Sequence, residues 1–420
     1  MIYFKFKNTY FFWVFILLFG LISCGNKPHA NDYKKKVELD QKSTPDKLSL
    51  VDSIQPILIS YPVNYLHLLK QKSIGIVANH TSVIKNSNQG FTHLIDSLIS
   101  LKIDVRKVFA PEHGFRGKAD AGEHIADGKD SKTGLPIISL YGKNKKPSQE
   151  QLAGINLIIF DIQDVGVRFY TYLATLHYVM EACAEVSIPL ILIDRPNPNA
   201  HYIDGPMMES EHQNFLGKHP IPLVYGMTIG EYATMINGEK WLKDGLQCNL
   251  TVMPLKNYSY KNDYNILIRP SPNLPNDKAI NLYPSLGLFE GTSINAGRGT
   301  EMQFQIFGAP YLDKNKYKYS YTPESNMGAK YPKQKGKLCN GLDLRETRTL
   351  SKINLDWLID AYNNTPKDQE FFQATFTAHA GTEKLQQQIE SGMSVDKIRM
   401  SWLKDLEAFN KVRSKYLIYE

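Results

Sequence analysis

Cysteine is scarce in this sequence, which argues against a disulfide framework. Only four cysteines occur in 420 residues, and Cys183, Cys248 and Cys339 lie far apart along the chain. None of the four has the close spacing that zinc ligands show in sequence. We therefore expect these three residues to be buried as small apolar side chains.

The motifs of several common enzyme classes are also missing. The chain has no G-x-x-x-x-G-K-[ST] phosphate loop, no G-x-S-x-G nucleophile elbow and no H-E-x-x-H zinc helix. The segment GRGTEM, residues 297–302, lacks the third glycine of a dinucleotide-binding loop. We therefore expect no nucleotide or other cofactor and no resident metal ion.

Positive charge is present only in modest excess. The formal net charge is +7, and the lysines and arginines are spread along the chain rather than clustered. A nucleic-acid-binding protein usually concentrates basic residues on one face or along one helix. We therefore expect no nucleic-acid partner.

The one conspicuous apolar run lies at the start of the chain. Lys5 and Lys7 precede the run FFWVFILLF, residues 11–19, and the sequence LISCG follows at 21–25. This layout is typical of a secretory signal, and the run is short for a transmembrane helix. Because LISC resembles a bacterial lipobox, we predict a signal peptide over residues 1–23 and lipidation of Cys24. The alternatives are an ordinary membrane anchor and a cytosolic chain with an apolar start.

The composition divides the rest of the chain into three parts. Residues 24–50 are polar and cannot bury a core, so we predict a tether between a lipid anchor in the cell envelope and a folded region. Such an anchor would hold the protein at a periplasm-facing or outer membrane. The folded region is predicted to be a Rossmann-like α/β domain over residues 51–238, followed by a smaller α+β domain over 239–420.

Short apolar runs alternate with amphipathic segments from residue 72 onward. Such alternation predicts a parallel sheet with helices on both faces. Helices are expected at 92–101 and 171–186, and again near the C-terminus at 385–389 and 401–419, whereas residues 269–310 show little periodicity. The predicted strands are Ser73–Ala78, Val105–Ala110, Ile137–Tyr141, Leu157–Asp161 and Leu190–Asp194.

Polar residues follow four of these strands directly. Since open parallel sheets place their sites beyond the carboxyl ends of the strands, we expect one shared site there. Glu112, Glu123, Asp161, Asp164 and Asp194 can supply a carboxylate pair for acid and base chemistry such as glycoside hydrolysis. The alternative for each acid is a helix cap or an ion pair. Cations that can grip an anionic group are Arg116, Arg168, Arg195 and Arg298, and aromatic rings that can stack on a sugar are Phe115, Phe169, Tyr170 and Tyr172.

The loop at 108–123, VFAPEHGFRGKADAGE, permits a metal site as a rival interpretation. His113, Glu123, His124 and Asp127 are possible ligands. Their spacing fits no standard zinc pattern. A metal-dependent cell-wall hydrolase is therefore kept as an alternative.

A set of motifs in this order resembles the NamZ-like exo-β-N-acetylmuramidases, a family formerly described as a domain of unknown function. The resemblance extends from about residue 55 to the C-terminus, and so many long motifs in one order are specific for the family. The motifs are APEHGFRG with AGE (110–123), FDIQDVGVRFYTY (160–172), DRPNP (194–198), GMTIGEYA (226–233), PSPNLP (270–275) and GTSINAGRGT (291–300).

The resemblance implies a hydrolase that removes terminal N-acetylmuramic acid from the non-reducing end of peptidoglycan fragments. It also implies an active site in a cleft between the two predicted domains. It implies Glu112 as the leading catalytic acid, protonating the leaving oxygen. Glu123 or Asp164 would be the second carboxylate, or would orient the acetamido group of the substrate if that group attacks the anomeric carbon. A binding lipoprotein that kept the fold without turnover is the other alternative.

The same motifs imply a set of substrate-binding residues. Arg298 or Arg195 would bind the lactyl carboxylate that distinguishes muramic acid from glucosamine. The full set of predicted substrate-binding residues is His113, Arg116, Asp161, Gln163, Arg168, Arg195, Asn273 and Arg298.

Overall fold

The computed structural model describes residues 64–85, 90–116, 127–261 and 264–420. The predicted signal peptide, the lipidation site Cys24, the tether, and Glu123 and His124 lie outside these residues. The fold below is that of the described residues alone.

The described residues contain fourteen strands, most of them short. Buried apolar residues dominate the longest ones because β-branched and aliphatic side chains suit a sheet covered on both faces. The strands are β1 (Ile74–Ala78), β2 (Val83–Lys85), β3 (Phe91–His93), β4 (Val105–Ala110), β5 (Gly128–Lys129), β6 (Pro136–Ser139), β7 (Leu157–Asp161), β8 (Leu190–Ile193), β9 (Asp204–Met207), β10 (Pro222–Val224), β11 (Leu250–Met253), β12 (Ile306–Ala309), β13 (Tyr319–Tyr321) and β14 (Cys339–Asp343).

Seven of these strands form the main sheet, in the order β11-β8-β7-β1-β4-β6-β5. All neighbouring pairs are parallel except β5 with β6, which is antiparallel at the edge. The prediction of a parallel α/β sheet is confirmed. Because β11 lies at residues 250–253, the sheet continues past residue 239, where the second domain was predicted to begin.

Nine α-helices occur in the described part of the chain. They are α1 (Leu94–Ser100), α2 (Gln149–Leu152), α3 (Tyr172–Glu185), α4 (Ile229–Gly238), α5 (Asp277–Leu286), α6 (Asp356–Asn363), α7 (Phe376–Ala380), α8 (Lys384–Glu390) and α9 (Val395–Arg413). Short 3-10 helices lie at 66–69, 210–212, 243–245 and 287–291.

The strands of the main sheet send alternate side chains into two separate apolar clusters, as the two-residue period requires. In β7, Leu157 and Ile159 enter the cluster that contains α1. Ile158 and Phe160 point the other way, into the larger cluster that contains α3. The sheet is therefore covered on both faces, and only its ends remain open for a site.

The C-terminal part is smaller and mixed. It holds a three-stranded antiparallel sheet in the order β12-β14-β13 and the helices α5 to α9. Most of its buried apolar residues join the larger cluster of the main sheet, whereas Ile306, Tyr321 and Cys339 form a small cluster of their own. This agrees with the predicted smaller α+β region.

One segment contains more regular structure than its sequence indicates. Residues 269–310 were expected to be rich in loops, but they include α5 and β12. Pro284 lies inside α5, and a proline within a helical pattern normally argues against a helix. Because of this proline, the sequence pattern did not indicate the ten-residue helix that the structure contains.

The predicted states of the later cysteines are confirmed, since Cys183, Cys248 and Cys339 are buried and free. Among the helices that the structure describes, none has the length and apolar character needed to cross a membrane.

Candidate active site

The carboxyl ends of β4, β1, β7 and β8 lie side by side at one edge of the sheet. Asn79 follows β1 and donates a hydrogen bond of 2.8 Å to the Tyr172 hydroxyl. That hydroxyl lies 3.5 Å from the main-chain oxygen of Glu112, which follows β4. Two of the predicted polar strand ends therefore meet through one tyrosine.

Glu112 is buried at this edge, with 9% of its surface exposed. The Thr171 hydroxyl donates a hydrogen bond of 2.6 Å to Oε2 of Glu112. Tyr141 lies beside Glu112, and burial together with the Glu112 charge raises the pKa of Tyr141 well above its usual value. The Thr171 hydroxyl thus holds the carboxyl group in place.

His113 occupies the left-handed region of backbone space, with φ of 69°, and Gly114 follows with φ of 75°. A non-glycine residue there is uncommon and sharply turns the chain. The imidazole Nε2 lies 3.2 Å from the Ser271 hydroxyl oxygen. The turn therefore connects the Glu112 loop to the PSPNLP segment of the C-terminal part.

Asp164 is the second acidic residue at the site. Its Oδ2 accepts hydrogen bonds from the Tyr225 hydroxyl and, at 2.7 Å, from the main-chain nitrogen of Gly166. Oδ1 has no hydrogen-bond partner among the described residues. Burial raises the pKa of Asp164 to about 6, although the hydrogen bond from Tyr225 opposes the shift.

Asp161 and Arg195 form an ion pair within the protein interior. The guanidinium Nε and Nη2 donate to Oδ1 of Asp161 at 2.8 and 2.6 Å, and both side chains are almost fully buried. Burial raises the pKa of Asp161 while the Arg195 charge lowers it, and the net direction is upward. The structure brings these two predicted substrate-binding residues together as each other's partners.

Gln163 is likewise held by its neighbours. Its Nε2 donates to the main-chain oxygens of Asp164 and Pro196, each at 2.7 Å. Its Oε1 accepts a longer bond of 3.3 Å from the Tyr264 hydroxyl. Gln163, Arg195 and Tyr264 also line a small cavity beside the end of β1.

Arg168 lies in the core, with 1% of its surface exposed. Its guanidinium donates to four main-chain oxygens, and burial lowers its pKa to about 9. Those oxygens belong to Pro206, Ile221, His379 and Ala380. Arg168 therefore ties the region around β9 and β10 to α7, and it is surrounded by carbonyl groups rather than by a cleft.

Arg116 also has protein partners. It forms an ion pair with Asp130 through Nε at 3.1 Å and Nη2 at 2.8 Å, and Nη2 lies 3.3 Å from Asp96. The guanidinium carbon lies 4.4 Å from the Phe115 ring centroid. Asp130 and Asp96 therefore bind the Arg116 guanidinium in the way that we expected an anionic substrate group to bind it.

Asn273 and Arg298 meet at one carbonyl group of the C-terminal part. The main-chain oxygen of Gly328 accepts hydrogen bonds from Nδ2 of Asn273 at 2.6 Å and from Nη2 of Arg298 at 3.0 Å. Arg298 also pairs with Glu290 at 2.8 Å. Burial opposes ionisation of Glu290, but the charges of Arg298 and Lys333 outweigh it and lower its pKa.

Tyr283, in α5, is influenced by charged residues from several segments of the chain. Burial raises its pKa, and the charges of Glu290, Glu112, Arg298 and Asp164 also act on it. Glu112 and Asp164 come from loops that follow β4 and β7, whereas Arg298 comes from the C-terminal part. The electrostatic influence of these three predicted site residues therefore reaches one tyrosine.

Several residues at the site were missed by the sequence analysis. Tyr225, Tyr283 and Glu290 lie outside the family motifs, and Thr171 lies within FDIQDVGVRFYTY but was not named as a site residue. Tyr141 was included only as the end of a predicted strand. A signal was present for Thr171, since it directly precedes the amphipathic helix α3 at a strand-end loop.

The four aromatic residues proposed for sugar stacking are buried and packed against other side chains. Phe169 contacts Tyr283 and His379 edge to face, and Phe115 contacts His93 in the same way. Tyr170 and Tyr172 pack on each other. Their rings belong to the interior, because Phe115 joins the apolar cluster that contains α1 and the other three join the larger cluster that contains α3.

Two members of the alternative metal site also have protein partners. His113 contacts Ser271, and Oδ1 of Asp127 accepts a bond of 2.8 Å from the main-chain nitrogen of Ser139. Glu123 and His124 lie outside the described residues. Within those residues, the cluster with metal-compatible geometry is elsewhere, at Glu209, Glu211 and His212.

Two family models match the chain. The first is described as "Exo-beta-N-acetylmuramidase NamZ, N-terminal" and covers residues 74–278. The second, "Exo-beta-N-acetylmuramidase NamZ, C-terminal", covers residues 281–419. The two matches include every described residue of the site.

Known proteins resemble the chain over most of its length. A protein from Bacillus subtilis (strain 168) named peptidoglycan beta-N-acetylmuramidase NamZ is 35% identical, over 98% of this chain and 100% of its own. Two crystal structures of DUF1343 family proteins from Bacteroides fragilis NCTC 9343 have a similar fold. One is 44% identical with a TM-score of 0.78, over 86% of this chain and 97% of that one. The other is 27% identical with a TM-score of 0.74, over 85% and 97%.

Proposed function

Because the chain belongs to the family of NamZ exo-β-N-acetylmuramidases, we propose that the site around Glu112 is where it releases terminal β-linked N-acetylmuramic acid from peptidoglycan fragments. The protein is a glycoside hydrolase that acts at the non-reducing end of the glycan. The observation that carries the assignment of the site is the position of Glu112. It is a buried carboxyl group at the carboxyl edge of the sheet, fixed by a hydrogen bond from Thr171.

Glu112 acts as the general acid in this proposal. Its proton passes to the glycosidic oxygen as the bond from that oxygen to the anomeric carbon breaks. Water supplies the hydroxyl group of the released sugar, and its second proton restores Glu112. The hydrogen bond from Thr171 fixes the direction in which the carboxyl group points, which matters because proton transfer depends on geometry.

Asp164 is the second acidic group. Its Oδ1 lies in the interior without a hydrogen-bond partner among the described residues, so it is an acceptor for a hydrogen of the bound substrate or of the attacking water. With a pKa of about 6, a large fraction of Asp164 is ionised at neutral pH. Glu123, the other residue named for this role, lies outside the described residues.

Arg298 is the better of the two candidates for the lactyl carboxylate. Both guanidinium groups have protein partners: Arg195 directs two nitrogens at Asp161, and Arg298 pairs with Glu290 and with the Gly328 carbonyl. Arg298 is the more accessible, with 22% of its side chain exposed against 4% for Arg195, and Lys333 is a second cation near Glu290. We assign Asp161, Arg195 and Arg168 to support of the site rather than to substrate contact.

A lipid anchor at Cys24 in the cell envelope is a further part of the proposal, and the N-terminal sequence pattern supports it. A cell-envelope location would give the enzyme access to peptidoglycan. Incorporation of labelled palmitate into the full chain, and its loss in Cys24→Ser, would support the anchor. Equal labelling of the two proteins would contradict it.

The proposed activity is tested by chromophore release from a nitrophenyl β-glycoside of N-acetylmuramic acid, with the N-acetylglucosamine analogue as the control. We expect turnover of the muramic substrate and much slower turnover of the analogue, because the analogue lacks the lactyl carboxylate. Tight binding of peptidoglycan fragments without turnover would favour a binding protein. Loss of turnover with a chelator, restored by added metal, would favour the metal-dependent alternative.

A further inference from the structure

Three aromatic side chains form a half-exposed row that begins at Glu112. Tyr141 follows β6 as Glu112 follows β4, and these strands pair at Ser139 and Ala110, two residues before each. The ring centroid of Tyr141 lies 5.9 Å from that of Phe215. The Phe215 ring in turn lies nearly parallel to Tyr178, with 6.4 Å between centroids. We call Tyr141, Phe215 and Tyr178 the aromatic platform.

Two lysines flank the platform. Nζ of Lys145 lies 4.6 Å from the Phe215 centroid, and Nζ of Lys218 lies 5.0 Å from the Tyr178 centroid. All five side chains are only partly buried. The platform therefore offers aromatic surface with positive charge beside it.

The backbone around Phe215 holds the ring in position. The main-chain nitrogens of Asn214 and Gly217 each donate to the other residue's oxygen, at 2.9 and 3.2 Å. The Asn214 side chain accepts a bond of 2.6 Å from the nitrogen of Leu216. A loop tied in this way keeps Phe215 on the surface at little further entropic cost when a ligand binds.

The residues near Glu112 differ in exposure. Tyr172, Asp164 and Asn273 are almost completely buried, whereas the three platform side chains are only partly buried. An exo-acting enzyme encloses the terminal sugar and leaves the rest of the glycan outside. We therefore take the partly exposed side, which carries the platform, as the side on which the remainder of the chain leaves.

We propose that the aromatic platform binds the part of the glycan beyond the bond that is cleaved, so that the enzyme favours glycan chains over isolated muramic glycosides. This inference rests on the proposed function. The apolar face of a pyranose ring packs on an aromatic ring, and burial of that surface favours binding. The lysines complement the lactyl and peptide carboxylates that a peptidoglycan chain carries on its next muramic acid.

Two substrates separate this idea from the activity itself. One is a trisaccharide of N-acetylmuramic acid, N-acetylglucosamine and a second, peptide-bearing N-acetylmuramic acid. The other is the methyl β-glycoside of N-acetylmuramic acid, whose leaving group is also an alcohol but carries no sugar. Sugar release from both is followed by chromatography.

Phe215→Ala is expected to lower kcat/KM for the trisaccharide about 10-fold more than for the methyl glycoside, which is the effect of losing one good apolar contact. Lys218→Glu, a surface change that leaves the core intact, should lower kcat/KM for the trisaccharide more at low salt than at high salt. Lys397→Glu, on the exposed face of α9, is the matched charge control.

The outcomes are distinguishable. An equal effect of Phe215→Ala on both substrates, or no effect on either, would overturn the platform assignment while the activity stands. A wild-type protein that hydrolyses neither substrate would overturn the proposed function and the platform with it. A salt-independent effect of Lys218→Glu would remove the lysines from the proposal.

Discussion

Thr171 and Glu112 are joined by a hydrogen bond of 2.6 Å from the threonine hydroxyl to the carboxylate oxygen Oε2. Thr171 immediately precedes α3, and Glu112 follows β4, so the bond ties a helix start to a strand end across the sheet edge. The Thr171 side chain makes no capping hydrogen bond to α3. The hydroxyl is therefore available to orient the acid.

Replacement of Thr171 by valine tests whether orientation of Glu112 matters for turnover. We expect kcat to fall about 10-fold with little change in KM, because the lost hydrogen bond fixes the acid and does not bind the sugar. Stability should fall by about 1 kcal/mol, the usual net value of one hydrogen bond. Steady-state kinetics and urea unfolding measure both. Thr175→Val, one turn further along α3, is the matched control, and an equal loss of kcat in it would contradict the assignment.

The ionisation of Asp164 predicts the acid side of the pH profile. Its pKa is raised to about 6 by burial and held down by the hydrogen bond from Tyr225. If the carboxylate form is active, kcat/KM falls as the pH drops through about 6. Tyr225→Phe removes a donor to the charged form, so the pKa should rise and the acid limb should move to higher pH. An unmoved acid limb in this variant would exclude Asp164 as the titrating group.

The Asp161–Arg195 pair predicts a loss of stability. Arg195→Met leaves a buried carboxylate unpaired, which typically costs about 3–5 kcal/mol. Burial raises the pKa of Asp161, so the deficit should shrink as the pH falls and Asp161 becomes neutral. Urea unfolding of the variant at several pH values measures this. The double variant Asp161→Asn with Arg195→Met should recover most of the loss, and a full deficit in the double variant would contradict the pairing.

We predict that replacement of Arg168 lowers stability without affecting substrate binding, although Arg168 lies in a family motif. Arg168→Met would leave four buried carbonyl groups without their donor, and each unsatisfied buried acceptor costs on the order of 1–3 kcal/mol. We expect a lower unfolding midpoint in urea, with KM unchanged in the protein that remains folded. A large rise in KM without a loss of stability would show that Arg168 contacts the substrate.

The sheet could be predicted from sequence because its strands are short apolar runs with clear boundaries. Val105–Ala110 and Leu157–Asp161 have the predicted bounds, and the predicted helices at 92–101 and 171–186 differ from α1 and α3 by only a residue or two at each end. Pro284 hid α5 because a proline inside a helix is rare and its cost is normally prohibitive. The local sequence pattern was sufficient to predict strands and helices wherever the chain follows common secondary-structure propensities.

The partners of the charged residues could not be predicted in the same way. Arg168 reaches a carbonyl group 212 residues away in sequence, and Arg195 reaches Asp161 across 34 residues. An arginine that holds a structure and an arginine that holds a substrate look the same in sequence. Glu112 was identifiable because its loop concentrates charged residues among glycines, whereas Tyr283 and Glu290 stand in no such cluster.

The most direct test of the central claim compares Glu112→Gln with the wild-type enzyme on two leaving groups. A sugar is a poor leaving group and needs a proton, whereas nitrophenolate leaves readily without one. If Glu112 is the general acid, the variant should lose a factor of about 10² or more in kcat on the disaccharide of N-acetylmuramic acid and N-acetylglucosamine, and far less on the nitrophenyl glycoside. Equal losses on the two substrates, or retained activity on the disaccharide, would contradict the assignment of Glu112 as the acid.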